Sequence, residues 1–105
     1  MDIKEQDWQS FNWVTNGNGD GGQSFGVGFC IAWQRGALAD NGRNGAFLTE
    51  VLEACLTELI HKNSIMASAE NDYAIQSLRG CLRFLYARRD RRKAAASYGK
   101  NIPDA

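Results

Sequence analysis

The alternation of apolar and polar residues changes period along the chain, and each change predicts an element. Phe25, Val27, Phe29, Ile31 and Trp33 occupy every second position of Phe25 to Gln34, with Gly26, Gly28, Cys30 and Ala32 between them. Such a two-residue repeat predicts a strand with one large face and one small one. Its large face calls for a cover, which helices further along the chain can supply. From Leu48 the period lengthens. Leu48, Val51, Leu52, Cys55, Leu56 and Leu59 recur at three- and four-residue intervals, which predicts an amphipathic helix. Glu50 and Glu53 sit near its start, where a helix favours negative charge, and the pattern runs out between Lys62 and Ser64. A second stripe of Ala74, Ile75, Leu78, Cys81, Leu82 and Leu85 predicts a second helix, starting between Ala67 and Ala69 with Ser68 as N-cap. Two amphipathic helices joined by a short polar turn form an antiparallel hairpin. Gly80 inside the second stripe costs about 1 kcal/mol relative to alanine, which points to close approach of another backbone.

The first part of the chain is less periodic. Trp8, Phe11 and Trp13 fit neither repeat well and predict extended structure, and Asn16 to Gly22, "NGNGDGG", predicts a mobile hairpin loop. A phosphate-cradling loop would need a lysine and a helix directly after its glycines, and neither follows. The fold class is therefore α+β: a small N-terminal antiparallel β region followed by a long antiparallel α-helical hairpin. The 105 residues make one domain, with strands and glycine-rich loops over 1–46, the hairpin over 47–97 and a tail over 98–105.

Length and composition narrow the functional classes. A domain of this size has a modest core, so oligomerisation is a way to enlarge it. With no long apolar run and no leader-like start, the reading is cytoplasmic, with no membrane partner. Cys30, Cys55 and Cys81, odd in number and set among apolar residues, read as reduced, buried thiols. No C-x-x-C occurs and His61 is the only histidine, which argues against a zinc site, and nothing in the sequence calls for a cofactor. No Ser/His/Asp set is present either, so the chain reads as a non-enzyme.

Charge changes the picture more. Four basic residues stand against ten acidic ones from Met1 to Leu78, a balance of −6, whereas eight stand against two from Arg79 onward, a balance of +6. The run "YARRDRRK", Tyr86 to Lys93, concentrates this charge. On a helical wheel with Asn71 at zero, Arg88 and Arg92 fall at about 260° and 300°, along the apolar stripe or its edge, while Arg89 and Arg91 fall at about 0° and 200°. A guanidinium aimed at a seam needs a partner. Three fit: solvent beyond the end of the first helix, an acidic patch on another subunit, or an anionic ligand gripped by the planar fork. Asn71 shares the stripe but lies about 26 Å from Arg88 along the helix. One small ligand touching both must bridge two protomers, and a two-fold pairing of hairpins would create two equal sites.

These residues also carry a family resemblance. Trp33-Gln34-Arg35-Gly36, then Gly42-Arg43-Asn44-Gly45, then Glu70-Asn71, then Arg88 and Arg92 seventeen and twenty-one residues after that asparagine, resemble the motifs of phage Thoeris anti-defence and anti-CBASS cyclic-nucleotide sponges. The likeness runs without gaps from about Phe25 to Lys93. It implies a non-enzymatic protein that sequesters a bacterial immune messenger, glycocyclic ADP-ribose or a cyclic di- or trinucleotide, in the cytoplasm of an infected host. It also implies a homo-oligomer, a dimer or a hexamer built as a trimer of dimers. By motif, Asn71 would contact base or ribose, and Arg88 and Arg92 would grip phosphates or stack on adenine. His61 stands where the family has a stacking Phe or Tyr, and Tyr98 is the candidate to replace a ligand-contacting tail that this sequence lacks. The competing reading is a small nucleic-acid-binding protein using the arginine-rich second helix, against which the neutral total charge and the glutamates of the first helix weigh. A structural oligomer without ligand is the third.

Overall fold

The computed structural model describes residues 7–95. Its order is β1 (Trp8–Thr15), β2 (Asn18–Gly26), β3 (Cys30–Trp33), a single turn of helix α1 (Leu38–Asn41), α2 (Leu48–Ile65) and α3 (Ala69–Ala94). The fold is α+β: a three-stranded antiparallel sheet, then long helices. The described residues fall into two compact units, one up to Phe47 and one from Leu48 on.

In the first unit the sheet has the order β1-β2-β3. Asn16 and Gly17 have φ of 52° and 79°, the pair of positive values that a two-residue hairpin turn needs to match strand twist. The turn therefore ends at Gly17, and Asn18 to Gly22, expected to be loop, belong to β2 and pair with β1 as Thr15↔Asn18, Val14↔Gly19 and Asn12↔Gly22. Between those pairs Trp13 faces two residues, Asp20 and Gly21, so the extra residue of the bulge is on β2, where Gly21 has a φ of 82°. Small residues did not prevent a strand because the ladder is made by backbone groups, which glycine retains.

The strand expected over Phe25 to Gln34 is broken in two. Phe25 pairs with Cys30, Gly26 N–H donates to Phe29 O at 2.9 Å, and Val27 projects from the turn, 94% exposed. A two-residue repeat persists through a tight turn, so the pattern by itself could not reveal the reversal. After β3 the chain loops out and returns, with Ala46 N–H donating to Ala32 O (2.7 Å) and Gln34 N–H to Ala46 O (2.9 Å). That segment covers the outer edge of β3.

The second unit is an α2–α3 hairpin. Along α3 the residues turned inward are Asn71, Ile75, Leu78, Leu82, Leu85, Arg89 and Arg92, at steps of four and three. On α2 the corresponding set is Leu52, Leu56, Leu59 and Asn63. This is a seven-residue repeat, and the seam is narrow. Leu48, Cys55, Ala74 and Cys81, expected within the packed stripe, are exposed, and Cys30 in the sheet is exposed as well. The thiols are therefore not buried in the chain: only the inner positions of each seven reach the opposite helix, and Cys55 and Cys81 fall one position beside them. Gly80 also differs from expectation, since a Cβ added there would meet nothing within 4 Å. Among the described residues only Ala37, Ile75 and Leu82 are buried apolar side chains, each still 5–6% exposed.

The turn between the helices is held by polar side chains. Ser68 caps α3, its Oγ accepting from Asn71 N–H at 3.0 Å. Asn63 Oδ1 accepts from Ser68 N–H (3.2 Å), and its Nδ2 donates to Asp72 Oδ1 (2.9 Å). Removing the cap with Ser68→Ala should lower unfolding stability by about 1 kcal/mol, and Leu82→Ala by about 2–5 kcal/mol. Cys81→Ser, beside the seam, should shift the denaturation midpoint far less than Leu82→Ala in the same urea titration.

Candidate functional site

The residues picked out by sequence lie at the two ends of the hairpin. Asn71 is in the first turn of α3, half-buried, where its Nδ2 donates to Met66 O at 3.3 Å and its backbone N–H meets the Ser68 cap. Its amide thus helps to close the interhelical turn. His61 is at the same end but exposed, one turn before the close of α2. Helical geometry puts it roughly 160° away from the Leu52–Leu56–Leu59 seam, so it does not join Asn71 on one surface of the chain. Glu58, within reach of His61 by spacing, is instead 3.6 Å from Lys62 in an exposed i,i+4 ion pair.

Arg88 and Arg92 are one turn apart near the other end of α3. Arg92 is 8% exposed, in line with Leu78, Leu82 and Leu85, whereas Arg88 is exposed beside that line. Each makes contacts within the chain. Because α3 is unbroken from Ala69 to Ala94, Asn71 and Arg88 stay about 26 Å apart, at 1.5 Å of rise per residue. Tyr98 lies outside the described residues. Arg89 enters the seam as well, stacking its guanidinium on Tyr86 (4.6 Å to the ring centroid) while lying 3.4 Å from Asp90.

In an antiparallel pair of helices, positions just before the inner ones fall on a common flank. Leu48 and Cys55 of α2 and Ala74 and Cys81 of α3 share this flank, and Arg88 continues its line two turns beyond Cys81. Lys62 of α2 stands on the same line at the turn end, so the flank is apolar between an ammonium at one end and the Arg88 guanidinium at the other. By the same wheel Arg79, Arg83 and Arg91 are spread around α3 at about 80°, 120° and 200°, so the basic residues do not form one stripe.

The motif around Trp33 and Asn44 has a structural role that its sequence did not disclose. Gln34 is the centre of the loop: its Nε2 donates to Gly42 O (2.7 Å), and its Oε1 accepts from Asn44 N–H (2.9 Å) and Gly45 N–H (3.2 Å). Asn44 reciprocates on Arg35, accepting from its N–H (2.8 Å) and donating to its carbonyl (2.9 Å). A Cβ on Gly45 would come within 2.7 Å of the Trp33 carbonyl, so glycine is needed where the loop returns against β3. These polar residues fold the loop. A side-chain amide satisfying three backbone groups leaves no periodic trace in sequence, and only the pairing of Gln with a Gly-x-Asn-Gly turn hinted at it.

The first unit also holds a polar network. Trp13 carries the Arg35 guanidinium on its ring (4.8 Å to the centroid) and meets Phe11 edge-on (5.4 Å between centroids). Arg35 is 3.7 Å from Asp20, which accepts from Thr15 Oγ1 at 2.8 Å. A cleft of about 220 Å³ opens beside Asp20, lined by Asn16, Asn18, Asp40 and Asn41 among others. Among the described residues no three His, Cys, Asp or Glu gather as a metal site would require, and no helix is long and apolar enough to cross a membrane.

No family model matches the sequence, and no curated protein matches it. The likeness to the anti-defence sponges stands on the motif residues alone.

Gln34→Ala should lower stability by about 1–3 kcal/mol, as expected for unsatisfied groups in a half-buried loop, and accelerate amide exchange at Asn44 and Gly45. Gln34→Glu retains the acceptor for those two amides but cannot donate to Gly42. It should therefore slow their exchange relative to Gln34→Ala, readable by NMR.

Proposed function

We propose that the protein is a phage anti-defence sponge that binds and holds a bacterial immune signalling nucleotide without cleaving it. The ligand class is glycocyclic ADP-ribose or a cyclic di- or trinucleotide, and the working form is a homo-oligomer in the cytoplasm of the infected host. The observation that carries the reading is the continuity of α3. It holds Asn71 and the Arg88–Arg92 pair on one rigid rod, about 26 Å apart, at the spacing that the motif resemblance requires.

A rod with a polar amide at one end and two guanidinium groups at the other becomes a nucleotide site when a second rod lies antiparallel to it. The start of one α3 then meets the end of the other, and a two-fold axis makes two equal sites. The flank of Leu48, Cys55, Ala74 and Cys81 supports such a pairing, because it is apolar and exposed in the single chain. Covering it removes hydrocarbon from water and carries Arg88 to the rim of the interface. The first turn of α3 carries Glu70 and Asp72 and its last turn Arg91, Arg92 and Lys93, charges that attract when two copies of α3 run antiparallel.

Sequestration must compete with a sensor, which sets a nanomolar scale of about −12 kcal/mol. Charge-assisted hydrogen bonds give about 1.5–3 kcal/mol each, so two arginines fall short. Stacking at about 1–3 kcal/mol per base and enclosure between protomers supply the remainder.

The test is isothermal titration with glycocyclic ADP-ribose isomers and a panel of cyclic di- and trinucleotides, followed by recovery of ligand after heating. Tight binding with intact ligand released is the expected result. Arg88→Ala, at an exposed position, should weaken binding at least about ten-fold, near 1.4 kcal/mol, while its contacts within the chain, at an exposed site, make only a small difference to the melting temperature. Arg92→Lys keeps the charge of a buried side chain and should weaken it too, through loss of the fork. Heat with random-sequence RNA but with none of the nucleotides would transfer the arginines to nucleic-acid binding.

A further inference from the structure

The sheet in the first unit has two edges that are treated differently. The outer edge of β3 is covered by its own chain, through Ala46 N–H to Ala32 O and Gln34 N–H to Ala46 O. The outer edge of β1 is not: among the described residues β2 is its only strand neighbour, and all eight residues from Trp8 to Thr15 are exposed. Natural sheets blunt such an edge with charge, proline or shortness. β1 reads WQSFNWVT, with no charged residue and no proline, and it is twice as long as the four-residue β3.

We propose that β1 is a docking edge for the β1 strand of a second copy of this chain, joining two three-stranded sheets into one of six strands. The proposal is independent of the nucleotide reading and uses a different part of the molecule from the helical flank. The occupant is set by three observations. The unpaired N–H and C=O groups of an edge accept an extended backbone and little else. The strand is uncharged, so its own copy meets it without opposing charges. The unit has little interior of its own: Ala37 is its only buried apolar side chain among the described residues, while Trp8, Phe11, Trp13 and Val14 remain exposed. A three-stranded sheet with so little burial is near the lower limit of stability, and added strands relieve that.

A two-fold axis perpendicular to the sheet keeps each side chain on its own face. Opposed residues must then be an even number of positions apart, because faces alternate along a strand. Centred on Phe11, the axis places Phe11 opposite its copy and Gln9 opposite Trp13. Aromatic side chains then meet across the strands, the pairing that sheets favour, on the face where Phe11 already touches Trp13.

Hydrogen–deuterium exchange of the full chain at dilute and high protein concentration tests this. Amides of residues 8–15 should exchange about ten-fold more slowly at high concentration, as paired edges do relative to open ones. Phe11→Lys places two ammonium groups face to face and should abolish that dependence, with β2 amides still protected. Val14→Lys, at a side chain 69% exposed, puts on the edge a lysine of the kind that natural sheets use to block pairing; it should weaken that dependence and decides the matter if Phe11→Lys unsettles the sheet. Exchange in β1 that is independent of concentration overturns the proposal, as does protection that survives Val14→Lys undiminished. Concentration dependence in α3 reports the helical pairing separately, so the two surfaces fail or stand on their own.

Discussion

The seven-residue seam between α2 and α3 is the constraint on which the helical unit and every candidate ligand group within it depend. It turns Ile75, Leu78, Leu82 and Leu85 of α3 onto Leu52, Leu56 and Leu59 of α2, and among the described residues of that unit only Ile75 and Leu82 are buried apolar side chains. A two-helix seam has one contact line, so each helix leaves most of its circumference outside. The same repeat that inserts Leu82 holds Arg89 and Arg92 in line with it and places Arg88 one position aside. The position of every candidate ligand group on α3 is thus a consequence of packing.

That narrowness links stability to function. A hairpin with so little interior exposes Leu48, Cys55, Ala74 and Cys81 on one flank, and a surface of this kind gains by being covered. The proposed nucleotide site needs the same event, since Asn71 and Arg88 cannot reach one ligand along a single rigid helix. Under that proposal assembly and ligand capture would draw on one interface, with the apolar flank supplying affinity between copies and the terminal arginines supplying recognition.

The sheet follows a different logic. Its loop from Gln34 to Ala46 is organised by side-chain amides on backbone groups, with Gln34 and Asn44 each serving several partners. Such a loop needs little buried hydrocarbon, of which Ala37 is the one case in this unit among the described residues, and it covers one sheet edge. The residues that carry the family likeness in this region are therefore architectural, while those on α3 remain the ones with chemistry to offer.

The sequence by itself determined the elements that depend on local periodicity and capping: α2 from Leu48, α3 capped by Ser68, the reversal between them, and the order of sheet before helices. Ser68 was legible because a cap is a relation among neighbours. Arg88 and Arg92 were legible on the wheel for the same reason, as the helix is regular over its whole length. Only the tertiary structure decided that Gly26 to Phe29 is a turn, that Asn18 to Gly22 is strand, that Cys55 and Cys81 face outward and that His61 points away from Asn71. Each of these depends on where a second segment lies. A repeat of two survives a reversal of the chain, glycine pairs wherever a neighbouring backbone offers bonds, and a stripe six residues wide in sequence packs only the part of it that the opposite helix can touch.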